Sequence, residues 1–119
     1  MPIYFDHAAT TPISEVAISA LNYQIKKLGN ASSLHSAGRS VRKDLESARE
    51  EIAKAIDCAP SEVIFTATGT EANNLAIKGL YWKAAKSNRN VIITSTFEHH
   101  AVMDPIAWLD EHENAQVIN

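Results

Sequence analysis

The sequence contains little of what marks a secreted or membrane protein. It has one cysteine, Cys58, so an internal disulfide is excluded and a reduced intracellular compartment is favoured. No apolar run approaches the roughly 20 residues that a membrane helix needs. The opening residues 1–6 lack the basic start of a signal peptide. We therefore expect a cytoplasmic protein that has no membrane partner.

Positive charge is also scarce. Lysine and arginine total 11 against 14 acidic residues, for a net charge of −3, and no block or stripe of basic residues occurs. This balance gives no electrostatic reason to expect a nucleic acid partner. With 45% hydrophobic and 21% charged residues the composition is that of a globular protein, and 119 residues leave no room for two well-buried cores.

Residues 1–62 predict an extended arm followed by two helices. Ser14 is the predicted N-cap of the first helix, whose apolar residues recur on one face. These residues are Ala17, Leu21, Ile25 and Leu28. A small, polar loop over 29–38 leads into a second helix over 38–56, whose apolar stripe we expect to be buried. Its members are Val41, Leu45, Ala48, Ile52 and Ile56.

From residue 63 onward the pattern predicts the order β-α-β-α-β. The predicted strands are 63–65, 91–94 and 115–118. A well-covered helix over 71–85 and a short helix, with Asp104 as N-cap and Pro105 at its first position, connect them. Alternating strands and helices indicate an α/β fold with a mostly parallel sheet. We divide the chain into an arm with two helices, 1–62, and the start of a larger domain, 63–119, together one incomplete domain.

The turn over 67–70 is the first candidate site. It joins an apolar strand to a helix, so backbone N–H groups and the positive end of a helix dipole point at one place. The amides near Gly69 and the Thr70 hydroxyl are the candidate donors to a phosphate. The glycine spacing matches neither a Walker A loop nor a dinucleotide fingerprint. An ordinary turn with Thr70 as the N-cap explains the same residues, and both interpretations stay open.

The second candidate site is the segment 95–100, which follows the strand over 91–94. Ligands of parallel sheets bind at the carboxyl ends of the strands, so this segment and the turn over 67–70 are expected on one rim. Adjacent side chains such as His99 and His100 diverge, and no third ligand has suitable spacing, so we predict no metal site. A neutral imidazole stacked on an aromatic ligand and a plain surface histidine remain the alternatives. Cys58 has no cationic neighbour that would activate it.

Four segments, 5–12, 29–39, 65–79 and 98–105, together resemble the amino-terminal part of cysteine desulfurases of the NifS/IscS kind. These are pyridoxal-phosphate enzymes of the class-V aminotransferase group with fold type I. The resemblance covers essentially the whole chain. It implies part of the large domain of a fold type I pyridoxal-phosphate transferase.

The resemblance also implies roles for individual residues. Gly69 and Thr70 match the positions that hold the cofactor phosphate. His99 matches the histidine that stacks on the pyridine ring, and it is the implied catalytic proton carrier. Four further residues match segments on the substrate side, namely Ala8, Thr10, Asn30 and His35.

The implied parent reaction removes sulfur from L-cysteine, giving L-alanine and an enzyme persulfide for iron–sulfur cluster or thiolation pathways. A homodimer or oligomer, and a sulfur-acceptor or scaffold protein, are the implied partners. In this family the Schiff-base lysine and the sulfur-accepting cysteine lie beyond position 119. The seven lysines of this chain all fall in helical patterns. We therefore expect a truncated amino-terminal portion that is inactive alone. The alternatives are a non-catalytic dimerising or partner-binding fragment and a generic binder of phosphate ligands.

Overall fold

A computed structural model describes residues 3–119 of the chain. Its helices are α1 (Glu15–Ile25), α2 (Ser36–Ala55), α3 (Gly69–Ala85) and α4 (His100–Glu113), and its strands are β1 (Val91–Ile93) and β2 (Gln116–Ile118). The chain divides into two compact units, unit 1 ending at Val63 and unit 2 spanning Ile64–Asn119. None of the helices in the described range is both long and apolar enough to cross a membrane.

Unit 1 holds α1, α2 and a single 3₁₀ turn, Pro60–Glu62. Ser14 caps α1 as predicted, since its Oγ accepts from the Ala17 amide at 3.2 Å. The predicted buried stripe of α2 is wrong, because α2 buries only Gly38 and Ala53, and α1 buries no residue. An apolar stripe is buried only where another element covers it, and within the described residues of unit 1 none does so fully.

An ion pair joins the end of α1 to α2. Lys27 Nζ lies 2.5 Å from the Asp44 carboxylate and 4.7 Å from the centre of the Tyr23 ring. The hydrogen bond from Lys27 lowers the pKa of Asp44, and the same bond raises the pKa of Lys27. The pair is therefore fully charged across the neutral range.

Unit 2 contains the hydrophobic core of the described chain. Strands β1 and β2 are parallel, with Ile92 opposite Val117. Tyr81 of α3 and Leu109 of α4 are buried together with Ala115, and Ile92 packs against this cluster. The Tyr81 hydroxyl donates to the carbonyl oxygen of Glu113 at 2.7 Å. The predicted α/β class with a parallel sheet is confirmed.

Three details of unit 2 differ from the sequence-based expectations. Residues 63–65 pair with no strand among the described residues, and without a neighbouring strand a β-prone segment has no ladder to join. Helix α4 starts at His100, four residues before the predicted cap, so Pro105 lies inside the helix. Helix α3 is not well covered, because Tyr81 is its only buried residue while Leu80 and Trp82 are exposed.

Helices α3 and α4 run side by side in the same direction. Lys78 Nζ lies 4.1 Å from the centre of the Trp108 ring, and these residues follow the first residues of α3 and α4 by nine and eight positions. Tyr81 meets Glu113 near the other ends of the two helices. Residues that contact each other therefore lie at similar distances from the starts of their helices. Both helices thus begin at the same end of unit 2.

Candidate functional site

The beginning of α3 is built by a reciprocal cap. Thr68 Oγ1 accepts from the Glu71 amide at 3.1 Å, and Glu71 Oε2 accepts from the Ala67 amide at 2.7 Å. The helix thus starts at Gly69, two residues earlier than predicted, and the prediction of Thr70 as the N-cap is wrong. The Thr-x-x-Glu pattern over 68–71 is a sequence signal for such a cap, and it identifies Thr68 directly.

The cap leaves Gly69 and Thr70 at the entrance of the helix. The side chains of Thr68 and Glu71 do not accept hydrogen bonds from the amides of Gly69 and Thr70. The first turn of an α-helix also offers no carbonyl oxygen to such N–H groups. Gly69 and Thr70 are both exposed, and a Cβ built on Gly69 would meet nothing within 4 Å, so the start of the helix is open to solvent. Two amides, the Thr70 hydroxyl and the helix dipole therefore offer a place for a phosphate.

Glu71 is the one anionic group built into this entrance. A carboxylate beside a bound phosphate is unfavourable. Its Oε2 atom is engaged by the Ala67 amide, which sits on the other side of the cap from Gly69 and Thr70. The carboxylate is thus satisfied within the turn, but its charge still acts on any anion that enters.

His99 begins α4. Its Nδ1 accepts from the Ala101 amide at 3.0 Å, which makes His99 the N-cap of the helix. In a neutral imidazole an accepting Nδ1 places the proton on Nε2. The backbone of α4 therefore fixes both the orientation of the ring and the atom that carries its proton.

The three residues assigned to the cofactor lie at one end of unit 2. Gly69 and Thr70 open α3, and His99 caps α4, so the common start of the two parallel helices brings them to the same end. This placement follows from helix direction and packing.

His100 takes no part in that arrangement. Its Nδ1 lies 3.5 Å from Asp104 Oδ1, and its ring stands at 75° to the ring of His99 with 6.5 Å between centroids. Between residues 3 and 119 no group of three histidine, cysteine or acidic side chains is arranged to hold a metal ion.

The four residues assigned to the substrate side all lie in unit 1. Ala8 and Thr10 belong to a turn in the arm, where the Thr10 amide donates to the Asp6 carbonyl oxygen at 3.4 Å and Tyr4 donates to the same oxygen at 2.8 Å. Asn30 Oδ1 accepts from the Ser32 amide at 2.9 Å, and His35 Nδ1 accepts from the Gly38 amide at 3.3 Å. The side chains of Asn30 and His35 thus already help to fold the loop.

The backbone of that loop packs directly against Gly38. A Cβ at this position would lie 2.4 Å from the Ser33 carbonyl oxygen and 2.7 Å from that of Asn30. The loop approaches the helix more closely than any side chain permits. Sequence patterns identified the loop but gave no sign of this contact, because a glycine in a polar segment is ordinary.

The class-V aminotransferase family model matches residues 3–119. An IscS-like cysteine desulfurase of Mycobacterium tuberculosis is 54% identical over 116 residues, which cover 96% of this chain and 30% of that protein. Among solved structures, a NifS-like protein matches with a TM-score of 0.88 at 32% identity, over 99% of this chain and 32% of that one.

A second similar structure contains bound cysteine. It is SspA in complex with cysteine, similar with a TM-score of 0.84 at 34% identity over 97% of this chain and 33% of that one. The chain thus spans about a third of the length of the proteins it matches. Both structures share its fold over nearly its whole length.

Proposed function

The chain belongs to the class-V aminotransferase family, and we propose that it forms the amino-terminal part of a pyridoxal-phosphate-dependent cysteine desulfurase. The observation that carries this proposal is the common start of α3 and α4, where the open amides of Gly69 and Thr70 share one end of unit 2 with His99. The similarity to cysteine desulfurases over almost the whole chain supports the same conclusion.

The cofactor of this family is pyridoxal 5′-phosphate, and its ring supplies an electron sink for bonds at the α-carbon of an amino acid. The residues present fit its phosphate end. The amides of Gly69 and Thr70, with the Thr70 hydroxyl, would hold the phosphate oxygens at the positive end of the α3 dipole. The flat imidazole of His99 lies at the same end and would stack on the ring.

His99 also supplies a proton at a defined atom. Its Nδ1 is occupied by the Ala101 amide, so Nε2 is the atom that donates. The cap holds the ring still, which keeps Nε2 pointed in one direction while the proton moves. Asn30 and His35, in the folded loop of unit 1, together with Ala8 and Thr10, contribute to the substrate side.

L-cysteine is the proposed substrate, with L-alanine and an enzyme persulfide as products. The structure of SspA was solved with cysteine, which supports this substrate class for the family. A protein that accepts sulfur, or a scaffold protein, would be the partner. Cys58 is a free thiol, in keeping with a reduced cytoplasmic setting.

We further propose that residues 1–119 alone bind the cofactor without a covalent bond and without turnover. The described lysines lie within or directly after helices α1, α2 and α3, and none begins α3 or α4. None therefore stands at the proposed phosphate and ring positions. Borohydride reduction followed by mass spectrometry tests this, because it traps any bond between a lysine and the cofactor aldehyde. A trapped adduct on the folded chain, or alanine release from cysteine, would contradict the proposal.

Binding itself is tested by titrating pyridoxal phosphate and following its absorbance. Thr70→Ala removes a hydrogen bond to a charged group and should weaken affinity about tenfold. Glu71→Gln keeps an acceptor for the Ala67 amide but removes the carboxylate charge, so affinity should rise a few-fold. Ser40→Ala, on an exposed position of α2, is the matched control and should change nothing. Equal affinity of Thr70→Ala and the unchanged chain would refute the phosphate site.

A non-catalytic dimerising or partner-binding role is the second candidate. The observation in its favour is the number of large apolar side chains on the surface, with Leu28 92% and Phe97 96% exposed. Exposed apolar side chains are the kind of surface that associates with a second copy or a partner. Sedimentation across a range of concentrations, with and without pyridoxal phosphate, separates the candidates. Self-association without any cofactor binding would favour the second.

A further inference from the structure

The four helices of the chain are capped by two different kinds of side chain. Hydroxyl oxygens cap α1 and α3, where Ser14 accepts from the Ala17 amide at 3.2 Å and Thr68 accepts from the Glu71 amide at 3.1 Å. Imidazole nitrogens cap α2 and α4, where His35 accepts from Gly38 and His99 accepts from Ala101. The distances are similar, so at neutral pH the four caps do the same work.

The two kinds of cap respond differently to acid. A serine or threonine hydroxyl keeps its lone pairs throughout the pH range in which proteins are folded. An imidazole Nδ1 accepts through its only lone pair, and a proton from solvent that binds there removes it. Histidine is the side chain that changes charge between about pH 5 and pH 8.

We propose that His35 and His99 make the beginnings of α2 and α4 proton-sensitive, whereas α1 and α3 begin independently of pH. Two effects act in the same direction. Protonation of Nδ1 breaks the hydrogen bond to the backbone amide, and it places a cation beside the positive end of a helix dipole. The amides of Gly38 and Ala101 then turn to water, and the first turn of each helix opens as the pH falls.

The charged groups around His99 do not compensate for this. Glu98 and His100 are its neighbours in the chain, and Asp104 pairs with His100 at 3.5 Å. From α3, Lys78 contacts α4 at Trp108, nine residues after His99, and β2 has no ionisable side chain. A proton on His100, whose ring centre is 6.5 Å away, would add to the repulsion.

The surroundings of His35 are similar. Arg39, one turn into α2, donates to the Leu34 carbonyl oxygen and adds positive charge near the cap. Further along α2, Asp44 is paired with Lys27 of the segment after α1. Glu62 of the 3₁₀ turn is bonded to the Ala59 amide at 2.8 Å. The described ion pairs thus engage none of these carboxylates with the His35 ring.

Hydrogen exchange at four single amides tests the proposal in the 119-residue chain. The capped amides are Gly38 and Ala101 under imidazoles, and Ala17 and Glu71 under hydroxyls. After correction for the intrinsic pH dependence of exchange, Gly38 and Ala101 should lose about fivefold in protection between pH 8 and pH 5, the equivalent of one cap. Ala17 and Glu71 should keep theirs. An equal loss at all four amides would overturn the proposal.

Substitutions then assign each effect to its own helix. Asparagine is a preferred N-cap that does not titrate, so His35→Asn should remove the pH response of Gly38 alone, and His99→Asn that of Ala101 alone. His112→Asn is the control, because His112 lies in the last turn of α4 and caps nothing. A pH response that survives in both asparagine variants would refute the proposal.

Nitrogen chemical shifts of the histidine rings give a readout that needs no variant. At pH 8 both His35 and His99 should carry their proton on Nε2, and His112, whose Nδ1 lies 3.0 Å from the Trp108 carbonyl oxygen, should carry it on Nδ1. Finding the proton of His99 on Nδ1 at pH 8 would overturn the cap itself.

Discussion

Units 1 and 2 are nearly equal in length, but different forces order them. In unit 2, Leu109 is fully buried, and Tyr81 and Ala115 pack with it in a core. Among the described residues of unit 1 only Gly38 and Ala53 are buried, and order comes from caps, a tightly folded loop and an ion pair. The comparison teaches that a regular helix can be specified by local hydrogen bonds, whereas a fixed tertiary arrangement of helices needs a shared apolar core.

A substitution in the hydrophobic core of unit 2 should give the largest change in stability. Leu109→Ala should lower the free energy of unfolding of unit 2 by about 3 kcal/mol, since it removes buried apolar contacts and leaves a cavity. Amide exchange in β1 and β2 measures the loss. Leu28→Ala is the control in unit 1, where the side chain is 92% exposed, and it should change stability by less than about 0.5 kcal/mol. Similar effects of the two substitutions would erase the distinction between the units.

The backbone contact in unit 1 should give the next largest effect. Gly38→Ala places a Cβ 2.4 Å from the Ser33 carbonyl oxygen, so the loop must move, at a cost of about 2 kcal/mol. Gly79→Ala in α3 is the matched control, because nothing lies within 4 Å of its Cβ. That substitution should stabilise α3 by about 1 kcal/mol. Thermal unfolding followed by circular dichroism gives both values, and equal signs would show that the loop does not rest on Gly38.

The ion pair of unit 1 should give the smallest effect. The hydrogen bond between Lys27 and Asp44 lowers the pKa of Asp44 and raises that of Lys27. The stabilisation by Asp44 is therefore present above about pH 4 and is lost as the pH falls through its lowered pKa. The stabilisation by Lys27 is present below about pH 10 and is lost as the pH rises through its raised pKa.

A double-mutant cycle with Lys27→Met and Asp44→Asn measures that pair at pH 7. Both side chains remain in contact with water, which screens their attraction, so the coupling should be the smallest of the effects compared here. Lowering the pH through the lowered pKa of Asp44 should weaken the coupling, because its carboxylate becomes protonated. A coupling that does not weaken as the pH falls would show that charge does not hold α1 to α2.

Much of the fold follows from the sequence because its signals are local. Ser14 caps α1 as its position predicts, and the long apolar repeat of α2 forms a helix. The strand over 91–93 forms where a β-rich run predicts it. Burial was predicted less well, since no described element of unit 1 fully covers the apolar stripe of α2. The strand predicted at 63–65 failed for a related reason, because pairing depends on a partner elsewhere in the chain.

The site was predicted in outline and missed in detail. Gly69, Thr70 and His99 stay predictions as cofactor residues, and the geometry gives them a common end of unit 2. The caps were missed because histidine is an uncommon N-cap, and because Pro105 suggested a later start for α4. The Thr68–Glu71 pair, by contrast, matches a capping pattern that the sequence itself shows.

The shared direction of α3 and α4 gives unit 2 an electrical polarity that the formal charge of −3 conceals. Each helix carries about half a positive elementary charge at its first turn. Two such ends side by side amount to about one positive charge, built from peptide groups and not from any lysine or arginine. The two dipoles would therefore attract an approaching anion at that end of the unit, against the charge of the Glu71 carboxylate, and would repel it at the other end. Because peptide dipoles do not titrate, their attraction for anions would persist at any pH at which the two helices remain intact.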